Sequence, residues 1–464
     1  MATPNTHFGA SEISRMMASC RSVFFIGAGG INMSSLALIT KRRGFRVGGS
    51  DRAESEITNR LVREGIELVF SHEASHVEGY DAVVYTVAIS PDNPEYIRAK
   101  ERGIPLISRA DYMGYLMTDY QNRIGISGMH GKSTTTSMCA QIFMSAMADP
   151  TVLSGAEMAS MGGAYRIGGE THFIFEACEY MDSFLDFYPS IAVILNVEMD
   201  HVDYFESMAH IRSSFRRFAE KTLPKGVVVA NGDDENVRAA LEGYEGRVIR
   251  FSLADERAEF YATSLTEAQG CSSFDIMAFG RLFCRAQLRV SGRHNVYNAL
   301  ASAAAAYLCG IDGEGVAKGL AAFSGAKRRM EYKGCFQGAE VYDDYGHHPT
   351  EVKTTLEGAA AMGYRRTVCV FQSHTYSRTA GLFDEFLAAF GAADEVIVAD
   401  IYAAREKDTG LVSGQKLAEA LPNGRYVGDF DAIAAYLRKT IGEGDLLVVM
   451  GAGDIYRIFE KLGL

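Results

Sequence analysis

The sequence predicts an α/β chain of three doubly wound units, and three observations carry that prediction. Apolar segments of strand length alternate with helical segments from one end to the other. Two glycine-rich turns, Gly27-Ala28-Gly29-Gly30 and Gly128-Met129-His130-Gly131, each follow an apolar segment and lead into a helix. The 464 residues suffice for two to four domains with their own cores, and no repeat or low-complexity linker interrupts them.

The first unit is expected over residues 1–120. Residues 23–26 read as a strand, 31–43 as a helix and 46–49 as a second strand ending in Ser50-Asp51. This is a βαβ unit with an acid about twenty residues past its glycine turn, a Rossmann-like arrangement. Asn32 occupies the third glycine position of the dinucleotide fingerprint. The turn therefore reads better as a seat for another diphosphate, such as a UDP-sugar, than for NAD. Strands at 67–70, 81–87 and 104–108 extend a parallel sheet.

The second unit is expected over residues 121–323. A strand at 124–127 runs into Gly128-Met129-His130-Gly131-Lys132-Ser133-Thr134-Thr135 and then a helix at 136–147. Strand, glycine turn, Lys-Ser and helix make a phosphate cradle: backbone N–H groups face the anion, Lys132 adds a cation and the Ser133 hydroxyl suits Mg²⁺. The loop is shorter than the usual Walker A, whose first glycine would fall at Ile126. Strands at 172–177, 191–196 and 226–230 and a helix near 208–220 follow. Short alternating strands fill 247–290, with turns at Ala268-Gln269-Gly270 and Phe279-Gly280, before helices at 294–309 and 313–322. Ligands of open α/β sheets bind at the carboxyl ends of strands. Glu176 and His201 both lie at such ends and together suit a metal beside the loop, with Glu179, Asp182 and Asp200 as competing acids.

The third unit, residues 324–464, is expected to be Rossmann-like again, with strands at 339–342, 367–371, 395–399 and 446–450 and a helix at 350–361. Its polar strand ends are Asp343-Asp344-Tyr345-Gly346-His347-His348-Pro349 and Phe371-Gln372-Ser373-His374-Thr375-Tyr376-Ser377-Arg378. Zinc is disfavoured at the tandem histidines, because no Cys or third His sits at ligand spacing. Arg378 suits a carboxylate through two hydrogen bonds. Lys327-Arg328-Arg329 lies at the junction with the second unit, where a cationic run has a use if two domains close on a triphosphate.

Bulk properties narrow the function further. A net charge of −12 argues against a nucleic acid or an anionic membrane as partner. The N-terminal stretch has no basic region followed by an apolar core, and the longest apolar run, 299–311, is too short to span a bilayer. The eight cysteines include no C-x-x-C pair and read as buried, reduced thiols, as expected in the cytoplasm.

Taken in order, these motifs resemble the Mur ligases, and the resemblance covers nearly the whole chain. It rests on residues 27–34 and 49–51, the loop 128–135, Glu176-Ala177-Cys178-Glu179, 196–203, His294-Asn295-Val296-Tyr297-Asn298, 327–331, 343–351 and Asp400-Ile401-Tyr402-Ala403-Ala404-Arg405-Glu406. The tandem-His and D-I-Y-x-A-R-E stretches are similar to those of the alanine-adding branch. The resemblance implies a sugar-nucleotide domain, a central ATPase and a C-terminal domain that delivers an amino acid. The implied reaction activates the lactyl carboxylate of UDP-N-acetylmuramate with ATP and Mg²⁺ and joins it to L-alanine, in peptidoglycan precursor synthesis. It also implies a cytoplasmic monomer or homodimer.

Carried onto this chain, the resemblance implies ATP contacts from Gly128, Met129, His130, Gly131, Lys132, Ser133, Thr134, Asn295, Arg329 and Asp344. Metal would sit with Ser133, Glu176 and His201. Lys132, Glu176, His201, His347, His348, His374 and Arg378 would surround the chemistry. Gly29, Gly30, Ser50, Asp51, Thr86 and Arg109 would hold the UDP-sugar. Asn32 and Thr375 depart from the family pattern, where many members carry glycine and arginine. A related ligase that adds a whole peptide shares this chemistry, and spacing does not separate the two. A non-catalytic nucleotide-sugar sensor is disfavoured by the presence of Lys132, Glu176 and His201.

Overall fold

The computed structural model describes residues 3–202, 204–268, 271–290, 292–404, 406–408 and 410–464. Asp203, Arg405 and the hairpin positions Gln269 and Gly270, all named above, lie outside the described residues. Three sheets, each in a helical coat, make the chain α/β. The N-terminal sheet is wholly parallel, with spatial order Glu67–Val69, Arg46–Ser50, Ser22–Ile26, Ala82–Tyr85 and Leu106–Ser108. The connections diverge between the third and fourth of these, the crevice where an open α/β sheet takes its ligand. The first helix of this unit, Ala10–Met17, was not foreseen; it buries Ile13 and Met17 against Arg109–Met117.

The central sheet has ten strands. Its parallel heart sets Ile191–Ile194 and His172–Glu176 on either side of Asn122–Ser127. Phe260–Ala268, Cys271–Ala278 and Arg281–Leu288 form the antiparallel extension read from the sequence. Two strands at the other edge, Thr151–Met158 and Gly163–Arg166, were missed, because Ser154, Gly155 and Glu157 break the apolar pattern. The helix after the phosphate loop begins four residues earlier than expected, at Lys132, since Gly131 takes φ 81° and turns the chain straight into it. The C-terminal sheet runs Glu331–Phe336, Ala339–Asp344, Asp445–Met450, Arg366–Phe371, Glu395–Val398 and Gly424–Tyr426, with only its first pair antiparallel.

The alanine-rich run folds into the helix Arg293–Leu308, where Ala299, Ala301 and Ala303 to Ala306 are inaccessible. Small side chains let it pack closely on Lys132–Ser145, which also meets Gly313–Ala322. That core fixes the phosphate-loop helix from behind. No helix among the described residues is long and apolar enough to cross a membrane. All eight cysteines are free, and Cys20, Cys139, Cys284 and Cys369 are buried. The expectation of buried thiols fails at Cys178, which is exposed because it turns out of the strand end next to Glu179, and at Cys335, which is also exposed.

Helix contact at Gly319 leaves no room for a side chain: a Cβ there would lie 2.4 Å from Ile142 Cα. Gly319→Ala should therefore cost about 1–3 kcal/mol through forced backbone movement. Urea unfolding followed by a central-unit probe should show a lowered midpoint; an unchanged midpoint would mean that the two helices slide apart freely.

Candidate active site

The phosphate loop sits where the sheet connections diverge, between Asn122–Ser127 and Ile191–Ile194. Gly128 has φ 141°, and a Cβ there would meet Leu195 at 3.0 Å. A Cβ on Gly131 would meet Asn298 Oδ1 at 2.9 Å. Asn196 clamps the loop from the neighbouring strand end: its Oδ1 accepts from His130 N–H at 2.8 Å and its Nδ2 donates to the His130 carbonyl at 3.0 Å. Both glycines are thus required by backbone shape and by close approach.

Lys132 leads the helix and folds back over the loop. Its Nζ donates to the carbonyls of Gly128 at 2.5 Å and Met129 at 3.2 Å, and pairs with Glu179 at 3.0 Å. Glu179 is inaccessible to solvent and also faces His201 Nε2 at 3.3 Å. Burial opposes both charges, yet their mutual attraction keeps Lys132 above and Glu179 below the usual range. The sequence reading set Glu176 beside His201; the structure puts Glu179 there. Glu176 instead accepts from Gly155 N–H at 2.5 Å and Ser154 Oγ at 3.3 Å, while remaining near enough to Lys132 to favour its charge. The signal for Glu179 was its place three residues past the strand end, after which Met181 and Asp182 take left-handed backbone and turn the chain back toward the loop.

The C-terminal unit closes on this loop through charge. His130 points Nε2 at Glu198 and Nδ1 at Glu351 Oε1, 3.2 Å away. Burial lowers its proton affinity, but Glu351 and Glu198 more than offset this and raise its pKa to about 10. Glu351 arises from a capping box: Pro349 opens the helix Pro349–Ala360, and the Glu351 carboxylate accepts from the N–H groups of His347 and His348 at 3.1 and 3.3 Å. The sequence reading missed it because a cap signal looks purely structural. His130, Glu198 and His348 are the one trio of ligand-type side chains converging within 4.8 Å among the described residues. Both His130 nitrogens face carboxylates, and His348 accepts from Thr350 N–H and donates to the Met199 carbonyl at 3.0 Å. The trio is therefore a charged hydrogen-bond bridge between units.

A second bridge lies alongside. Arg378, 7% exposed, donates from Nε to Asp200 Oδ1 at 2.9 Å and lies 3.3 Å from His374 Nδ1. Although burial works against its charge, the Asp200 carboxylate is held far below its usual pKa by Arg378. Burial lowers His347 to about 3 and His374 to about 4, so both rings are neutral, 5.7 Å apart. A cavity of about 980 Å³ runs from the loop between the two units, lined by Gly131, Thr134, Asn295, Arg329, Asp344 and Glu351. Arg329 lies over the Tyr345 ring and 3.6 Å from Glu351. Asp344 receives the N–H groups of Met330 and Gly346 at 2.9 and 2.8 Å.

The N-terminal residues named from the sequence divide. Gly29, Asp51 and Thr86 meet at the sheet crevice: Asp51 Oδ2 accepts from Gly29 N–H at 2.7 Å, and Thr86 N–H donates to Ile26. Gly30 caps the following helix. Ser50 is a correction: its hydroxyl is fully buried and donates to Glu95 at 2.7 Å, so only its carbonyl reaches the turn, at Gly27 and Ala28. Arg109 lies near Cys178 and Asp186 at the face toward the central unit, and burial lowers its pKa.

Three family models match in chain order: "Mur ligase family, catalytic domain" at residues 22–121, "Mur ligase middle domain" at 126–306 and "Mur ligase, glutamate ligase domain" at 328–453. The chain belongs to the Mur ligase family. It is 45% identical over 446 residues to UDP-N-acetylmuramate–L-alanine ligase of Caldanaerobacter subterraneus subsp. tengcongensis, covering 95% of this chain and 97% of the relative. It is 44% identical over 445 residues to the enzyme of that name from Acetivibrio thermocellus, covering 95% of each. The solved UDP-N-acetylmuramate–alanine ligase of Thermotoga maritima matches at TM-score 0.78 and 26% identity, over 95% of this chain and 98% of that one. A murein peptide ligase from Psychrobacter arcticus shares the fold at TM-score 0.68 and 23% identity, over 95% and 98%. The family is ATP-dependent and generally uses Mg²⁺.

The His130 bridge has a testable pH signature. The folded state binds this proton up to about pH 10, against 6.5 for an ordinary imidazole. Its contribution is therefore complete below pH 6.5, declines through that window and is gone above about 10. Small-angle scattering should show the parent expanding between pH 7.5 and 10.5, while His130→Ala is already expanded at pH 7.5 and changes little. A parent radius constant across the range would deny the bridge its role in closure.

Proposed function

We propose that this chain joins L-alanine to the lactyl carboxylate of UDP-N-acetylmuramate, using ATP, in peptidoglycan precursor synthesis. The observation that carries this reading is near-full-length similarity to L-alanine ligases, together with a phosphate loop whose His130, Gly131 and Thr134 line a cavity shared by two units. The functional division proposed is residues 1–120 for the sugar nucleotide, 121–323 for ATP and 324–464 for the amino acid.

The residues fit a triphosphate. A glycine loop, a helix N-terminus and Lys132 supply donors and positive charge, and Asn295, Arg329 and Asp344 line the adjoining cavity. They also fit Mg²⁺, because the Ser133 hydroxyl and the Glu176 carboxylate are hard oxygen donors, with His201 held nearby by Glu179. When bound, Mg²⁺ would neutralise charge on the phosphates. A carboxylate is a poor acyl donor, so the sugar's lactyl oxygen first attacks the γ-phosphorus; ADP leaves and an acyl phosphate forms. The alanine amine then attacks that carbonyl and phosphate departs with its C–O bond broken. Lys132 offsets the charge of the transferring phosphoryl group. His347 and His374, being neutral, accept a hydrogen bond from the amine without repelling its ammonium form. Arg378, fixed by Asp200 and His374, is the candidate for the alanine carboxylate.

The direct test is phosphate release with ATP, Mg²⁺ and UDP-N-acetylmuramate, adding L-alanine, glycine, L-serine or a peptide in turn, with mass analysis of the sugar nucleotide. L-alanine should drive release and appear in the product; release with the peptide alone would move the chain to the peptide-adding branch. Lys132→Ala should lower turnover about a hundredfold or more while sugar-nucleotide binding by calorimetry is preserved.

A further inference from the structure

The segment ahead of residue 22, where the family match begins, has a structure of its own. Thr3 donates from its N–H to the Val87 carbonyl at 3.2 Å and from its hydroxyl to the Ile89 carbonyl at 2.9 Å. Tyr85 hydroxyl donates to the Pro4 carbonyl at 2.6 Å, and the N–H of Ser108 donates to Thr6 Oγ1 at 3.0 Å. The segment therefore lies across the carboxyl ends of two N-terminal strands, against the backbones that carry Thr86 and Arg109.

It then crosses to the central unit. Asp111 Oδ2 accepts from the Thr6 hydroxyl and from Phe8 N–H at 3.0 Å, gripping both neighbours of His7. His7 takes φ 54° between them and directs Nδ1 to Asp186 Oδ1 at 3.0 Å. Beyond it, Ala10 N–H donates to the Tyr188 hydroxyl at 3.1 Å. Asp186 closes the turn Tyr180–Asp186, whose preceding residue is Glu179. One strap thus touches the sugar crevice at one end and the Glu179 turn at the other.

The electrostatics give His7 a specific task. Asp111 and Asp186 are both buried, and each keeps one oxygen without a hydrogen-bond partner. Burial pushes the Asp186 carboxyl above its usual range and the nearby Asp111 charge adds to this, while the His7 ring, its own proton affinity raised by Asp186, works against it. Arg109 and Lys221 also lie near Asp186, but among the described residues His7 alone forms an ion pair with it.

We propose that residues 3–8 form a positioning strap, with His7 as its key residue, that sets the sugar-binding unit against the Glu179 turn and so holds the acceptor carboxylate in register with the phosphate loop. His7 touches no reacting atom in this scheme; it acts through Asp186 and Asp111. The proposal rests on the sugar-nucleotide reading above, and one arm of its test is independent of that reading.

The test uses the full chain as parent, His7→Ala, His7→Gln and a variant lacking residues 1–8. Hydrogen exchange should rise about tenfold at the amides of residues 184–188 in His7→Ala and in the deletion, whatever the substrate is. The KM for UDP-N-acetylmuramate should rise about five- to tenfold in both, with KM for ATP within twofold. His7→Gln, which keeps a donor, should recover most of each effect. Unchanged exchange at residues 184–188 would overturn the strap, as would equal shifts in both KM values. Altered exchange in a parent without turnover on this sugar would overturn the functional reading and leave the strap's mechanical role standing.

Discussion

A buried ammonium–carboxylate pair, Lys132 with Glu179, is the constraint on which the site depends. Neither charge is tolerable alone in that position: removing one partner of such a pair costs about 3–5 kcal/mol because the other is left uncompensated. The chain meets this demand with unusual backbone. Met181 and Asp182 both take left-handed conformations, Asp182 is gripped by Ser214 and Arg217, and Asp186 anchors the end of the turn. The same carboxylate holds His201, itself at φ 49°, so one buried acid orients the loop cation and the imidazole on the neighbouring strand end.

Closure of the C-terminal unit repeats that logic at a domain boundary. Each bridge sets a cation of one unit on an acid of the other: His130 on Glu351, and Arg378 on Asp200. Lys327 adds a third, on Glu157 at 2.5 Å, but it is largely exposed and contributes little. Arg328 and Met330 flank Arg329 with φ 58° and 47°, and Tyr345 N–H donates to the Arg328 carbonyl. The linker is therefore shaped to aim Arg329 at the cavity rather than being a loose tether. Glu351 pairs with both His130 and Arg329, so on the reading proposed above a phosphate entering the cavity would meet cations already engaged by an interdomain acid.

Much of this was legible in the sequence, for identifiable reasons. Parallel strands buried on both faces write themselves as apolar runs, which is why Ser22–Ile26, Asn122–Ser127 and Asp445–Met450 are visible. The phosphate loop is legible because its glycines, lysine and hydroxyl are demanded by local chemistry. Edge strands such as Gly163–Arg166 and Gly424–Tyr426 are not, since they are short, partly exposed and carry polar residues. Side-chain direction was the harder quantity. Ser50 follows a strand and looks available, but the period-two alternation turns it inward to Glu95, which the histidines His72 and His76 also contact. Glu176 and Glu179 are three residues apart, and only the left-handed turn decides which of them meets Lys132.

Glu351 and His7 mark the limit of reading residues one at a time. Glu351 satisfies helix N–H groups and, with the same carboxylate, balances an imidazolium 221 positions away in the chain, counting from His130 to Glu351. His7 belongs to a segment with no apolar periodicity and no motif, yet it lies between two buried acids from different units. In both cases the side chain's local role is ordinary and its long-range role follows from an unpaired charge elsewhere. Tertiary contact creates that unpaired charge: Asp186 becomes costly only once the turn from Glu179 has been drawn inward to serve Lys132. The demand for compensation then propagates outward, from the phosphate loop to Glu179, along the turn to Asp186, and across the domain boundary to the strap.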